Sequence, residues 1–381
     1  MKKTVLFDRH EKLNAKIVEF ANYLMPISYS SVNEEHIHIR NEVGVFDVSH
    51  MGEIEISGSN SLNFIQKICS NDISKIKIGK AQYNCLTNES GGIIDDLIVY
   101  RLEEKKYLLV VNASNISKDW NWIIKQNSEF NCSIVNISDE MSLLAVQGPK
   151  AEELCQKFTN EDLALISNYS FIVSSFAGFE NIIISKTGYT GSGGYELYIP
   201  NHSAGFVWDA LFSKKEFNLK PIGLAARDTL RIEMGYCLYG NDINEDTTTE
   251  EANLRWITKI ETNFIGSQII NKQIQKGCDK KLIGFKLKEK SIPRKGYEIF
   301  DIDNRLIGMV TSGTFSPILK KGIGLAHVNY INRKDDLIYI KIRKNIYQAE
   351  IIKTPRKIEL ITILNSLKDP LNSLNDSFKK I

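Results

Sequence analysis

The ten residues from Thr187 to Glu196 constrain this chain more than any other stretch, because a glycine-dense turn there leads directly into an apolar strand. Glycine adopts the positive φ angles of tight turns and lets the backbone approach a ligand closely. Side chains alternate along a strand, so Glu196 points to the face opposite Tyr195 and Leu197. The pattern predicts one carboxylate in a pocket, where it can accept hydrogen bonds from paired N–H donors of a ring. An ordinary β-turn with a solvated glutamate is the alternative that this segment alone leaves open.

Composition points to a globular protein with several domains. A length of 381 residues exceeds what one simple core organises, so two or three domains are expected. The chain is 43% hydrophobic and 25% charged, and its formal net charge of +2 gives no reason to expect a nucleic-acid partner. Lysine-rich runs such as Lys280-Lys281 lie among apolar residues at strand spacing. They are predicted to be solvated strand faces rather than a phosphate-binding patch.

Cysteine usage and the lack of targeting signals predict a cytoplasmic protein with no membrane contact. The six cysteines are scattered without a Cys-x-x-Cys pair, which indicates reduced thiols. No segment has the length of a membrane span, and the amino-terminal residues lack an apolar signal-peptide core. The sequon at Asn112 has no glycosylation meaning in that compartment. His36 and His38 lack a third ligand nearby in sequence, so no metal site is predicted.

Changes in hydrophobic periodicity divide the chain into α+β units, a β-rich unit and a tail. A helical pattern is expected over residues 13–24. A strong hairpin dominates the first complete α+β unit, whereas strand follows strand near the carboxyl end, as in a small barrel. Pro370 splits the tail, which predicts a short docked helix and a frayed end. The predicted units are residues 1–51 together with 140–275, residues 52–139, residues 276–357 and a tail of residues 358–381.

Two adjacent acids, Asp95 and Asp96, lie in the apolar second strand of the predicted hairpin. Neighbouring side chains of a strand point to opposite faces, so at most one of the two faces a given pocket. An unpaired buried carboxylate is costly and is either neutralised by a pKa shift or retained for a function. A solvated edge near the hairpin turn remains the alternative from the hairpin alone.

A helix predicted over residues 223–233 carries two arginines on one face, Arg227 and Arg231. Like charges one turn apart repel unless an anion lies between them. Asp228 can pair with Arg231, which leaves Arg227 available for a carboxylate of the protein or of a ligand. A solvated helix face with an internal ion pair is the alternative for this segment.

Six motifs, taken in order, closely resemble the aminomethyltransferase (T-protein) of the glycine cleavage system, a member of the folate-binding aminomethyltransferase superfamily. The resemblance runs from about Leu6 to Thr354, and six motifs in family order are far more specific than any single one. The motifs are Phe46-Asp47-Val48-Ser49-His50-Met51-Gly52-Glu53, Gly91-Gly92-Ile93-Ile94-Asp95-Asp96-Leu97, Gln147-Gly148-Pro149, Thr187-Gly188-Tyr189-Thr190-Gly191, Ala226-Arg227-Asp228-Thr229-Leu230-Arg231 and Thr311-Ser312-Gly313-Thr314-Phe315-Ser316-Pro317.

The resemblance implies a fold, a reaction and a partner. The fold would be an α+β, three-domain cloverleaf around a central folate channel, with a C-terminal β-barrel or jelly-roll-like domain. The enzyme would take the aminomethyl group on the lipoyl arm of the H-protein and transfer its one-carbon unit to tetrahydrofolate. The products would be 5,10-methylenetetrahydrofolate, ammonia and the dihydrolipoyl H-protein. Tetrahydrofolate would act as co-substrate, with its pterin directed inward.

The resemblance also implies roles for seven residues. Asp96, the second acid of the pair, would be catalytic: it would orient the folate nitrogen, assist proton movement and stabilise the cationic carbon as ammonia leaves. Glu196 would accept hydrogen bonds from the pterin, whose amino group and ring N–H lie side by side. The predicted folate-binding residues are Tyr83, Tyr169, Tyr189, Glu196, Arg227 and, for the folate tail, Arg356.

Departures from the family pattern bear on affinity and carrier contact more than on fold. Ser192-Gly193 replaces the usual Glu-Asp pair, Asn22-Tyr23 replaces Gly-Trp, and Arg356 lies in an altered motif. Two alternatives to the transferase remain. One is a folate-dependent demethylase of a methylated amine or sulfonium, and the other is a non-catalytic folate-binding scaffold. The scaffold paralogues carry a Lys-Gly-Cys-Tyr-x-Gly-Gln motif, which this chain does not continue after Cys278.

Overall fold

The computed structural model describes residues 1–329 and 337–354 of the chain. The α-helices in these ranges are α1 (Phe7–Lys12), α2 (Val32–Asn41), α3 (Ser61–Ile68), α4 (Ile116–Gln126), α5 (Ala151–Cys155), α6 (Asn201–Ser213), α7 (Leu224–Met234) and α8 (Ser267–Lys276). The strands are β1 (Lys2–Lys3), β2 (Lys16–Phe20), β3 (Tyr23–Ser28), β4 (Gly44–Asp47), β5 (Gly52–Ser57), β6 (Lys80–Thr87), β7 (Ile93–Glu103), β8 (Lys106–Val111), β9 (Ser133–Asn136), β10 (Met141–Gln147), β11 (Phe171–Phe176), β12 (Phe179–Ser185), β13 (Gly194–Pro200), β14 (Lys220–Pro221), β15 (Lys280–Leu287), β16 (Glu298–Phe300), β17 (Leu306–Ser316), β18 (Lys321–Asn329), β19 (Leu337–Ile342) and β20 (Asn345–Ile352).

The strands form three open sheets and one closed barrel among the described residues. The small sheet has the order β1-β3-β2, the five-stranded sheet β6-β7-β8-β5-β9, and the six-stranded sheet β11-β12-β13-β10-β4-β14. The barrel closes as β15-β18-β17-β16-β19-β20, so no edge is left unpaired. The predicted α+β architecture with a β-barrel near the carboxyl end is therefore present. Within the described residues, no helix combines the length and apolarity that crossing a membrane requires.

The hairpin β6–β7 forms as its turn residues predict. The side-chain oxygen of Asn88 accepts hydrogen bonds from the backbone N–H groups of Ser90 and Gly92, at 2.9 Å each. A Cβ at Gly92 would lie 1.7 Å from the carbonyl oxygen of Glu245, so a glycine is required there. The resulting register pairs Cys85 with Asp96. Asp95 is fully buried, which excludes a solvated hairpin edge.

The six-stranded sheet fixes the position of Glu196. On β13, Glu196 pairs with Ala145 of β10 and with Ser185 of β12. Tyr195 and Leu197 point to the opposite face and belong to the hydrophobic core under α5 and α6. The alternation predicted for this strand is the one observed, and it directs the carboxylate away from that core.

The helix expected over residues 13–24 is wrong. Helix α1 ends at Lys12, and the chain then forms the hairpin β2–β3. Ala21 and Asn22 between the strands have φ angles of 49° and 64°. Two consecutive left-handed residues make a turn whose twist matches that of paired strands. Strand β1 pairs in parallel with β3, so contacts distant in sequence stabilise the strand conformation over the local helical pattern.

Candidate active site

One cavity of about 2060 Å³ lies between the two large sheets, helix α7 and the loop that follows β15. Its aromatic and charged lining combines residues that are far apart in sequence. All the predicted site residues within the described ranges line it, namely Tyr83, Asp96, Tyr169, Tyr189, Glu196 and Arg227. The predicted tail ligand Arg356 and the predicted tail, residues 358–381, lie outside the described residues.

Asp96 faces the cavity and receives two hydrogen bonds. The Tyr83 hydroxyl donates to its Oδ2 at 2.9 Å, and the Asn112 Nδ2 donates to its Oδ1 at 2.9 Å. The residue is half-buried and lines the cavity. Burial, together with the neighbouring Asp95, raises the pKa of Asp96 to about 7, although its two donors favour the charged form. A carboxyl group with this pKa can both accept and release a proton at neutral pH.

Glu196 is 9% exposed and is oriented by a chain of hydroxyl groups. Thr187 donates to its Oε2 at 2.5 Å, and the Tyr100 hydroxyl lies 3.2 Å from Thr187 Oγ1. Tyr198 donates to Tyr100 at 2.9 Å and so completes the chain. No donor from the described residues reaches Oε1. The carboxylate is buried and positioned, which excludes the solvated glutamate that the turn alone left open.

Arg227 lies close to Glu196 on the cavity wall. Its Cζ is 4.8 Å from the centre of the Tyr189 ring, within cation–π range, and its Nη1 is buried with no hydrogen-bond partner among the described residues. Burial lowers the pKa of the guanidinium, and the negative charge of Glu196 opposes that shift. Arg231 pairs instead with Asp228 at 2.8 Å, as the helix pattern predicts. Arg227 therefore has a free donor for an anionic or polar ligand group.

Two tyrosines complete the aromatic lining near Arg227. The Tyr189 hydroxyl donates to the backbone carbonyl of Cys237, and its ring stacks on Tyr236 at 5.8 Å between centroids. Tyr169 has a φ of 56°, which is uncommon for a residue with a side chain. Its backbone is fixed by bonds to Lys186 and Ala81, so its half-exposed ring points into the cavity. Strained residues of this kind concentrate at ligand sites.

Three residues that sequence reasoning missed complete the surroundings of Asp96. The Asn112 amide bridges Asp95 and Asp96, a role that the sequon at this position does not indicate. Trp256, 59% exposed, stacks on Tyr83 at 5.8 Å with an interplanar angle of 28°. Asp119 of α4 lies fully buried beside Asp95. No local signal distinguishes these three, because each contact joins segments distant in sequence.

The described residues contain no group of three or more histidine, cysteine or acidic side chains that could hold a metal ion. His36 bonds to Thr229 and Glu233, and His38 bonds to the carbonyl oxygen of Val43. All six cysteines are buried free thiols. The two imidazoles therefore have structural partners.

Comparison with known proteins identifies the family. The GCVT N-terminal domain matches residues 6–262, and the glycine cleavage T-protein C-terminal barrel domain matches residues 280–356. The chain belongs to the glycine cleavage T-protein family. The aminomethyltransferases of Flavobacterium psychrophilum and Halothermothrix orenii are 52% and 46% identical to it, and each alignment covers 93% of this chain and 99% of the relative.

A solved structure agrees with the sequence relatives. The crystal structure of the glycine cleavage system aminomethyltransferase T from Bartonella henselae is 32% identical to this chain and superposes with a TM-score of 0.87. The superposition covers 94% of this chain and 98% of that one. The predicted fold class and the predicted enzyme class, an aminomethyltransferase of glycine cleavage, are confirmed. The demethylase and scaffold alternatives are not favoured.

Proposed function

We propose that the cavity binds tetrahydrofolate, and that Asp96 handles the protons of one-carbon transfer from the lipoyl arm of an H-protein. Aminomethyltransferases of this family work with folate. The convergence of six predicted residues on one cavity carries the proposal. The chain would act in the cytoplasm, with residues 1–51 and 140–275, residues 52–139 and residues 276–357 as its domains.

The polar groups of the cavity fit a reduced pterin. Glu196 is held by Thr187 through Oε2, and its Oε1 together with the remaining lone pair of Oε2 can accept from the pterin amino group and ring N–H. Arg227 offers the unpaired Nη1 beside it. The rings of Tyr169 and Tyr189 supply apolar surface for the flat pterin and the benzoyl group. Arg356 is proposed as a ligand of the folate tail on family position alone.

In this proposal the folate supplies the two nitrogens that take up the one-carbon unit. The carbon forms bonds to both nitrogens and loses its bonds to sulfur and to the amino nitrogen. The two folate N–H protons end on ammonia and on the arm sulfur, so the reaction balances. Asp96, with a pKa of about 7, accepts a proton as a base and returns it as an acid. Its negative form also stabilises the positive charge that develops on the carbon.

The test compares two substitutions that preserve shape. Asp96→Asn should bind tetrahydrofolate normally but slow single-turnover ammonia release from an aminomethyl-loaded lipoyl carrier by about 10²- to 10⁴-fold, because the proton acceptor is lost. Glu196→Gln should weaken folate binding by about tenfold to a hundredfold, because a charge-assisted contact is lost. Glu180→Gln, at an exposed glutamate of β12, is the control. Near-normal turnover by Asp96→Asn, or unaltered folate affinity of Glu196→Gln, would refute the corresponding role.

A further inference from the structure

Behind Asp96 lies a second pair of carboxyl groups that the reaction does not itself require. Asp95 on β7 and Asp119 on α4 are both fully buried. Neither oxygen of Asp119 receives a hydrogen bond from the described residues. A buried carboxylate without donors is strongly unfavourable, whereas a protonated acid satisfies itself by donating. Burial, followed by the charge of Asp95, raises the pKa of Asp119 to about 11, which favours the neutral acid, whose hydroxyl group can donate to Asp95.

The hydrogen bonds of Asp95 favour it as the charged member of this pair. The backbone N–H of Asn112 donates to its Oδ2 at 2.9 Å. The amides of Asn112 and Asn115 donate to its Oδ1 at 2.9 and 2.5 Å. Burial raises the pKa of Asp95, and these donors together with Asp119 oppose that shift. A group surrounded by donors favours its anionic form, unlike Asp119, which has none.

Asn112 connects this pair to the cavity. Its Nδ2 lies 2.9 Å from Asp95 Oδ1 and 2.9 Å from Asp96 Oδ1. Asp95 and Asp96 point to opposite faces of β7, but one amide joins their carboxyl groups. A negative charge on Asp95 therefore acts on Asp96 across a buried region of low dielectric constant.

We propose that Asp119 and Asp95 share one proton and hold one negative charge behind Asp96, and that this pair, through Asn112, sets the protonation of the reactive carboxyl. Asp95, Asp119 and Asn112 are positioning residues, since they do not touch the substrate. The inference rests on the proposed proton-handling role of Asp96.

The other titratable groups around Asp96 are neutral or engaged elsewhere. Burial raises the pKa of the thiols Cys85 and Cys237, and also the pKa of the phenols, so all are uncharged at neutral pH. The phenols are Tyr83 on β6, Tyr189 after β12 and Tyr239 after α7. Lys118 on α4 donates to the Ile94 carbonyl and to Tyr239, and pairs with Glu245 at 3.2 Å. Arg231 and Asp242, which also act on Tyr189 and Cys237, pair with each other at 2.6 Å. After burial, the charge of Asp95 is the largest cause of the raised pKa of Asp96.

The first experiment observes the shared proton directly. Infrared spectra of the protein with ¹³C-labelled aspartate carboxyl groups should show an isotope-sensitive C=O band of a protonated acid well above pH 7. Asp119→Asn should lose this band, because its amide replaces the acid as donor to Asp95. Asp279→Asn, at an exposed aspartate, should retain it. A missing band in the wild-type protein, or its persistence in Asp119→Asn, would overturn the inference.

The second experiment follows the reactive carboxyl through the pH dependence of single-turnover ammonia release. Asp95→Asn removes the negative charge behind Asp96, which lowers the pKa of Asp96. The acid limb of the profile should therefore move to lower pH by about 1 to 3 units. Asp119→Asn keeps a donor to Asp95 and should leave the acid limb at the same pH. Asp119→Leu removes the donor, which favours protonation of Asp95, so the acid limb should move to lower pH. An unmoved limb in Asp95→Asn, or in Asp119→Leu if Asp95→Asn does not fold, would contradict the inference.

The two experiments separate this inference from the proposed function. Normal turnover by Asp96→Asn would refute the proposed role of Asp96. The infrared band would still show whether Asp95 and Asp119 share a proton. If Asp96→Asn loses turnover but the acid limb of Asp95→Asn is unchanged, the proposed role of Asp96 is supported and the electrostatic link from Asp95 to Asp96 is refuted. Tetrahydrofolate binding by each variant shows whether its cavity is intact, and the Asp119 variants decide the question if Asp95→Asn does not fold.

Discussion

Asp95 and Asp96 show how far the surroundings of a residue decide its chemistry. The two residues lie on the same strand and have the same type of side chain. Asp95 faces three amide donors and Asp119, whereas Asp96 faces the Tyr83 phenol, one amide and the cavity. Strand alternation predicts that the two carboxyl groups point to opposite faces, and the family resemblance predicts that Asp96 is the catalytic one. The environment explains that choice physically, because the carboxyl that contacts the cavity also has a pKa of about 7.

Tyr83→Phe tests the balance of forces on the reactive carboxyl. The substitution removes the donor to Asp96 Oδ2 and leaves the ring in place against Trp256. A hydrogen bond to the charged form lowers a pKa, so its loss should raise the acid limb of the single-turnover pH profile. The expected shift is opposite in direction to that of Asp95→Asn. At neutral pH the rate should fall by roughly tenfold. A downward shift would show that Tyr83 does not stabilise the carboxylate.

The start of β13 determines where Glu196 points, and two neighbouring glycines allow a matched test. Gly194 has a φ of 122°, and a Cβ there would lie 2.2 Å from the Val146 carbonyl oxygen of β10. Gly193 has a φ of 79° with no atom within 4 Å of such a Cβ. Gly193→Ala should therefore cost about 1 to 2 kcal/mol of unfolding free energy through backbone strain alone.

Gly194→Ala adds a steric conflict to the same strain and should push β13 away from β10, two residues before Glu196. We expect a larger loss of stability than in Gly193→Ala, together with weaker tetrahydrofolate binding. Urea denaturation and folate titration of both variants measure the two effects. Equal folate affinities for the two variants would show that the start of β13 does not position Glu196.

Elements with strong local signals were predictable from sequence, and those decided by tertiary pairing were not. The β6–β7 hairpin follows from Asn88 and its glycines, and the alternation on β13 follows from its residue pattern. The expected helix over residues 13–24 is a hairpin, because pairing with β1 outweighs a weak helical period. Asn112 and Trp256 were missed for the same reason, since their roles depend on contacts with strands distant in sequence.

At the scale of the whole molecule, buried polar networks join the carboxyl-terminal barrel to the rest of the chain. Arg231 of α7 pairs with Asp242 at 2.6 Å and donates to Ser312 of β17 at 2.8 Å. Glu233 of the same helix accepts from Ser316 at the end of β17. Helix α7 also carries Arg227, so the same helix contacts the barrel and lines the cavity.

Glu233 links α2, α7 and the barrel, and its titration should be visible in the stability of the protein. It bonds to His36 at 3.0 Å, to Arg40 at 2.7 Å and to Ser316. Burial alone would raise its pKa, but these partners lower it to about 2 from the ordinary 4.5. This lowering corresponds to about 3 kcal/mol of stability, present above pH 4.5 and lost as the pH falls toward 2.

Glu233→Gln should lower the free energy of unfolding at pH 7 by about 3 to 5 kcal/mol, because Arg40 would remain buried without its anion. The difference between wild type and variant should shrink as the pH falls from 4.5 toward 2, where Glu233 itself becomes neutral. Urea denaturation across this range measures it, with Glu216→Gln at an exposed glutamate as the control. If the difference in unfolding free energy between wild type and variant stays constant with pH, Glu233 stabilises the contact of the barrel with α2 and α7 through packing rather than through its charge.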